Sequence, residues 1–188
     1  MNDATTASAL KFFRVAVLAL AIGLISTGRA AETNPPPTPP AETRQFDFWL
    51  GEWDVTTPDG KPAGHSRIEA VAGGAALLEN WSGDPPTPGE SGKSLNVYNA
   101  AKKQWQQFWV DNGGGVLELA GGLVEHRMVL AGEHDAKGKH YSERITWTPN
   151  ADGSVRQLWE QSTDGGKTWQ TAFEGLYRRK NSATVPRL

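Results

Sequence analysis

The feature that most constrains this chain is a repeated alternation of apolar and polar residues in short runs, broken at intervals of roughly 8 to 12 residues by turn-forming pairs. Asp59-Gly60, Asn112-Gly113, Asp152-Gly153 and Asp164-Gly165 are such pairs. They favour tight hairpins because glycine, and to a lesser degree Asn and Asp, accept the positive φ angles a hairpin turn needs. The runs predict about ten strands, near 53–57, 65–71, 75–82, 94–99, 105–111, 116–120, 125–130, 142–148, 155–162 and 169–178. Helical periodicity is absent beyond the first 30 residues apart from a single turn at 46–50, so parallel strands lack crossover helices and hairpin connections remain. The predicted fold class is all-β: an antiparallel meander of about ten strands closing into a barrel, whose interior holds packed side chains or one small ligand. A two-sheet sandwich is the alternative.

The chain has 188 residues and opens as an export leader. Lys11 and Arg14 precede an uncharged apolar run at 15–25, and Gly28 and Ala30 place small residues where a signal peptidase reads them, so residues 1–30 are expected to be removed. That run is about 11 residues, short of the roughly 20 that span a bilayer, and no second long apolar stretch follows. Residues 31–44 carry Pro35-Pro36-Pro37-Thr38-Pro39-Pro40 and read as an extended disordered spacer. The barrel domain is expected over 45–180, with a disordered tail at 181–188. The mature chain is therefore periplasmic or secreted, with no membrane span, as a monomer or homodimer. It has no cysteine, which excludes a disulfide, a thiolate nucleophile or a cysteine-held metal. Loss of the leader removes three of 19 basic and one of 21 acidic residues, leaving a net charge of about −4, unfavourable for nucleic acid.

The stretch Phe46-Asp47-Phe48-Trp49-Leu50-Gly51-Glu52-Trp53 is the most distinctive in the chain. It resembles the opening of a bacterial family of unknown function grouped with the calycins, alongside lipocalins, fatty-acid-binding proteins and nitrobindins. The resemblance runs from Phe46 to about Arg179 and includes Gly92–Tyr98, Trp105–Asp111 and the Arg156–Ser162 run. It implies a lipocalin-like (calycin) barrel and no particular activity. Gly51-Glu52-Trp53 also resembles the Gly-x-Trp signature of lipocalin first strands, where the indole closes the barrel base under an arginine of the last strand; Arg178 or Arg179 would be that arginine.

Ser162-Thr163-Asp164-Gly165-Gly166-Lys167-Thr168-Trp169 matches the Asp-box pattern found in sialidase propellers and unrelated β proteins. A propeller needs several copies; one copy predicts a hairpin braced by its own side chains and nothing about glycosidase chemistry.

Eight tryptophans fall in the domain, each with a large area to bury and an N–H to satisfy. At period two, Leu77, Glu79 and Trp81 share one strand face, as do Trp105, Gln107, Trp109 and Asp111. Aromatic surface interleaved with amide and carboxylate suits a partly polar lumen. The candidate ligand-binding residues are Glu79, Trp81, Gln107, Trp109, Arg144 and Trp159. If Glu79 and Arg144 both face inward they must pair, since an unpaired buried charge costs several kcal/mol. The remaining charged strand residues, Glu118, Glu143, Arg156, Glu160 and Glu174, are expected mostly on the solvated face or in cross-strand pairs.

His65, His126, His134 and His140 lack metal-ligand spacing, and no metal site is expected. No cofactor is expected either; the likeness to nitrobindins raises haem as a minor reading, with His126 as the strand-borne axial ligand. No catalytic triad order, nucleophile elbow or phosphate loop is present. The leading functional expectation is an exported protein that binds a small apolar or aromatic molecule in the lumen. The alternative is a barrel enzyme of isomerase or hydratase type, with Glu79 or Glu160 as general acid or base. A filled barrel serving only for interaction is the third, and its sign would be an exposed aromatic patch.

Overall fold

The computed structural model describes residues 38–85, 89–136 and 138–180. Within them ten strands run in chain order: β1 Gly51–Thr56, β2 Pro62–Val71, β3 Ala76–Gly83, β4 Ser91–Asn99, β5 Gln104–Asp111, β6 Val116–Val124, β7 Arg127–Ala136, β8 Lys139–Pro149, β9 Val155–Ser162 and β10 Gln170–Arg179. Each pairs antiparallel with its sequence neighbours, and β1 pairs with β10 from Trp53 opposite Arg179 to Thr56 opposite Leu176. The sheet is thus a closed ten-stranded meander barrel of the lipocalin-like kind, not a sandwich, and closure leaves no strand edge unpaired. No helix among the described residues is long and apolar enough to cross a membrane.

The expected leader at 1–30, the first residues of the spacer and the tail at 181–188 lie outside the described residues. The described residues begin before the expected boundary at 45. Ala41–Arg44 forms a 3-10 turn whose Thr43 is buried and donates both its N–H and its hydroxyl to the Pro40 carbonyl.

β6 and β7 depart most from the sequence reading. Gly121 and Gly122, outside the predicted strand at 116–120, continue β6 to Val124, and Gly121 packs so close to the β7 backbone that a Cβ there would stand 2.2 Å from the Val129 carbonyl oxygen. The seventh strand consequently starts at Arg127 and not at 125. Glu125 and His126 form the tight β6–β7 turn, Glu125 with a left-handed φ of 57°. His126, expected on a strand, is an exposed turn residue.

One end of the barrel is filled by the distinctive opening motif. The 3-10 turn Asp47–Trp49 places Phe46 and Trp49 fully buried beneath the strands, stacked with centroids 4.9 Å apart. Phe46 meets Trp105 and Trp147 edge-on at 5.6 and 5.2 Å. Trp53 donates its indole N–H to the Trp49 carbonyl at 2.9 Å, and Trp105 donates to Gln45 Oε1 at 3.1 Å. The arginine over Trp53 is Arg179, with its guanidinium 4.5 Å from the ring centroid and an Nη1 donation to the Leu50 carbonyl at 3.0 Å. Several large aromatics removed from water at one end make that end the solid part of the core.

Candidate functional site

Six aromatics line a cavity of about 380 Å³ in the other part of the barrel. Thr57 and Glu90, from the β1–β2 and β3–β4 connections, belong to its lining, which places its mouth at that end. Its walls carry Trp81, Trp109, Trp147, Trp159, Phe173 and Tyr177. Trp147 also touches Phe46 and Trp49 of the plug, so it is the floor on which the cavity stands.

Glycines give these rings room. Trp81 lies against Gly64, where a Cβ would come within 2.7 Å of the indole; Trp109 lies against Gly92, at 2.2 Å; and Phe173 lies against Gly175, at 2.8 Å. Three aromatic side chains therefore rest against bare backbone, which leaves the middle of the barrel open.

Glu79 is the buried carboxyl of this cavity. Ser66 on β2 donates its hydroxyl to Oε1 and Ser94 on β4 donates to Oε2, both at 2.9 Å. Behind Ser94 the donors continue in one direction: Asn96 Nδ2 donates to Ser94 Oγ at 2.9 Å, and Gln107 Nε2 donates to Asn96 Oδ1 at 2.8 Å. Burial dominates over the two hydroxyl donors and pushes the Glu79 carboxyl up to about 7. Tyr177 is raised well above the usual phenol range, first by burial and then by the nearby Glu79 charge, and donates its hydroxyl to Gln157 Oε1 at 2.6 Å.

Five of the six residues singled out by sequence, Glu79, Trp81, Gln107, Trp109 and Trp159, meet around this cavity. Arg144 does not. On β8 the inward set is Glu143, Ile145 and Trp147, so Arg144 points out, bonds Glu160 Oε2 through Nε at 3.1 Å and Nη2 at 2.8 Å, and covers the Trp169 ring at 4.3 Å. The inward Glu79–Arg144 pair considered from sequence does not form, and Glu160 is tied up on the outer face. Arg156 and Glu174 make a second outer cross-strand pair at 2.7 Å.

Glu143, expected outside, is instead completely buried. Its carboxylate accepts the Trp159 indole N–H and, at 2.9 Å, the Gln161 amide, and His134 Nδ1 stands 3.2 Å from Oε1. Glu143 thereby fixes the ring plane of a cavity tryptophan. Its parity with Ile145 and Trp147 was the available signal. Trp147, Gln157, Phe173 and Tyr177 were also missed as lining residues, although Phe173 and Tyr177 share one face of β10.

No family model matches the chain, and no curated protein matches it. What the barrel does is read from the cavity, whose chemistry is a broad aromatic wall with one buried carboxyl and two amides. Sites of this size that are mostly apolar with a few convergent polar groups suit a small, largely enclosed organic molecule.

Proposed function

We propose that the protein is an exported binding protein that holds a small apolar or aromatic molecule in its barrel, and that it belongs with the calycin group its opening motif resembles. The observation that carries this reading is the aromatic-lined cavity of about 380 Å³, kept open by rings lying against glycine. An evolved filler core closes such space, because empty volume costs roughly 24 cal/mol per Å³ in lost contacts. The leader supports the location: N-terminal sequencing of the processed protein is expected to start at Ala31. Native mass spectrometry of the protein purified from its exported compartment is expected to show a reproducible added mass that disappears on unfolding. A clean apo mass, together with failure of the apolar probe N-phenyl-1-naphthylamine to enter the barrel, would overturn the reading; an iron-porphyrin mass would replace it with the haem reading.

One observation favours a second reading on the same barrel. A cavity carboxyl titrating near 7 is matched to general acid–base work at neutral pH, and with Glu160 on the outer face the acid or base of an isomerase or hydratase would be Glu79. Its signature is a turnover rate with an inflection near pH 7 that Glu79→Gln removes.

A further inference from the structure

We propose that the molecule the cavity is built to hold is an organic cation, an amine on an aromatic or comparably apolar body, with its ammonium at Glu79 and its body against the tryptophans. This inference rests on the binding reading above and narrows it to one ligand class.

The charge inventory of the cavity is one-sided. Among the described residues Glu79 and Glu90 are the lining residues with a formal charge, and both are acidic; no described Lys, Arg or His belongs to the lining. Glu79 is satisfied by two neutral hydroxyls and has no cationic partner among the described residues. The half-buried strand carboxylates Glu160 and Glu174 are held by arginines, and the fully buried Glu143 has His134 Nδ1 at 3.2 Å, whereas Glu79 has no basic side chain beside it among the described residues. Glu79 has been left for something else.

The hydrogen-bond chain behind it has a direction. Gln107, Asn96 and Ser94 each donate toward the carboxyl, and Ser66 donates from the other side. Aligned donors polarise one another and favour negative charge at their common acceptor. They do not reverse the desolvation penalty alone, so in the empty barrel the carboxyl still carries its proton below pH 7 and is about half protonated near it. A cation arriving in the cavity supplies the missing counter-charge. The donation by Gln107 leaves its carbonyl oxygen without a protein partner among the described residues, a second acceptor for an ammonium N–H.

The aromatic wall suits the same ligand. The faces of Trp, Tyr and Phe attract a cation through their quadrupoles, most strongly for Trp and when water is excluded. Trp81, Trp109, Trp147 and Trp159 all border the cavity, with Phe173 edge-on to Trp81 at 6.0 Å. A ligand carboxylate in the same place would face Glu79 and Glu90 with no positive lining group among the described residues to meet it. The other ionisable group facing Glu79 is the Tyr177 phenol, which stays protonated through the neutral range.

The test uses three near-isosteric indoles of different charge: tryptamine, tryptophol and indole-3-acetate, displacing the neutral probe N-phenyl-1-naphthylamine from the purified protein at pH 7.5. Tryptamine is expected to displace the probe at least about tenfold better than tryptophol, with indole-3-acetate weakest. In Glu79→Gln, with each displacement referred to the variant's own probe affinity, tryptamine is expected to come within about twofold of tryptophol. Equal displacement by tryptamine and tryptophol, a preference for indole-3-acetate, or an unchanged amine preference in Glu79→Gln would each overturn the cation inference while leaving a binding barrel. Failure of the probe itself to bind would overturn the binding reading beneath it. Calorimetry at pH 6 in two buffers of different ionisation enthalpy adds a second readout: amine binding is expected to release up to one proton, and tryptophol binding none.

Discussion

The indole of Trp109 on β5 lies against Gly92 on β4, so close that a Cβ on residue 92 would stand 2.2 Å from two of its ring atoms. The glycine is what allows the ring to lie flat on the wall. Gly92→Ala is therefore expected to push Trp109 into the cavity, with a stability loss of about 1–3 kcal/mol from overpacking. Denaturant unfolding checks the first consequence, and a several-fold weaker uptake of N-phenyl-1-naphthylamine checks the second.

Glu79 makes stability depend on pH in a stated direction. Its folded-state carboxyl titrates near 7 against an ordinary 4.5, so the native state binds the proton more tightly than the unfolded chain. This contribution is fully present below pH 4.5, is lost as pH rises through 7, and is flat above. The whole span amounts to about 3 kcal/mol at most. Urea unfolding of Glu79→Gln is expected to show that slope removed, with the variant gaining on the native protein as pH rises from 5 to 8. A slope that survives in Glu79→Gln would show that the titration belongs to another group.

Arg179, not its neighbour Arg178, covers Trp53 at the closed end. Arg179→Ala is expected to cost about 0.5–1 kcal/mol, while Arg178→Ala, which loses a 3.4 Å contact to Thr56 Oγ1 and an exposed attraction to Asp152, costs less. Gly51→Ala should be worse than either. Its φ of 133° is poorly tolerated by other residues, and a Cβ there would stand 2.5 Å from Arg179 Nη1. Thermal unfolding of the three variants ranks them.

Asp164 holds the β9–β10 hairpin through its carboxylate, which accepts the Lys167 and Thr168 amides at 3.0 and 2.9 Å and the Ser162 and Thr168 hydroxyls at 2.7 Å each. Those donors, the Thr168 hydroxyl first, pull its titration down to about 2. The depressed value means the carboxylate supports the hairpin above pH 3.8 and releases it as pH falls through about 2. Asp164→Ala is expected to speed hydrogen exchange at the Lys167 and Thr168 amides at neutral pH, with the strands away from this hairpin unchanged.

Glu143 anchors Trp159 from behind the cavity wall. Glu143→Ala leaves a void and an unpartnered indole N–H, and is expected to cost about 2–4 kcal/mol. A change in Trp159 fluorescence, isolated by a Trp159→Phe control, would report the freed ring.

Much of the barrel was written in local pattern. Turn pairs such as Asp59-Gly60 and Asp152-Gly153 mark hairpin ends because their backbone preferences act within four residues, and the number of strands, though not the bounds of β6 and β7, was legible from alternation along the chain. That Glu79 and Trp81 share a face, and Gln107 and Trp109 another, is likewise a period-two property of each strand alone.

What sequence cannot assign without a reference is which of a strand's two faces is the inside, because that depends on pairing register around the whole closed sheet. The tertiary structure turned Glu143 in and Arg144 out, although the two are adjacent in the chain. It also brought Gly92 beneath Trp109, set the Ser66 and Ser94 hydroxyls on either side of Glu79, and laid Trp147 on the Phe46–Trp49 plug as a floor. These partners are separated along the chain by 13 residues or more, apart from Phe46 and Trp49, and only closure of the barrel makes them neighbours. The strands and their turns were therefore local facts of the chain, while the cavity and the charge within it exist only because ten strands close into a ring.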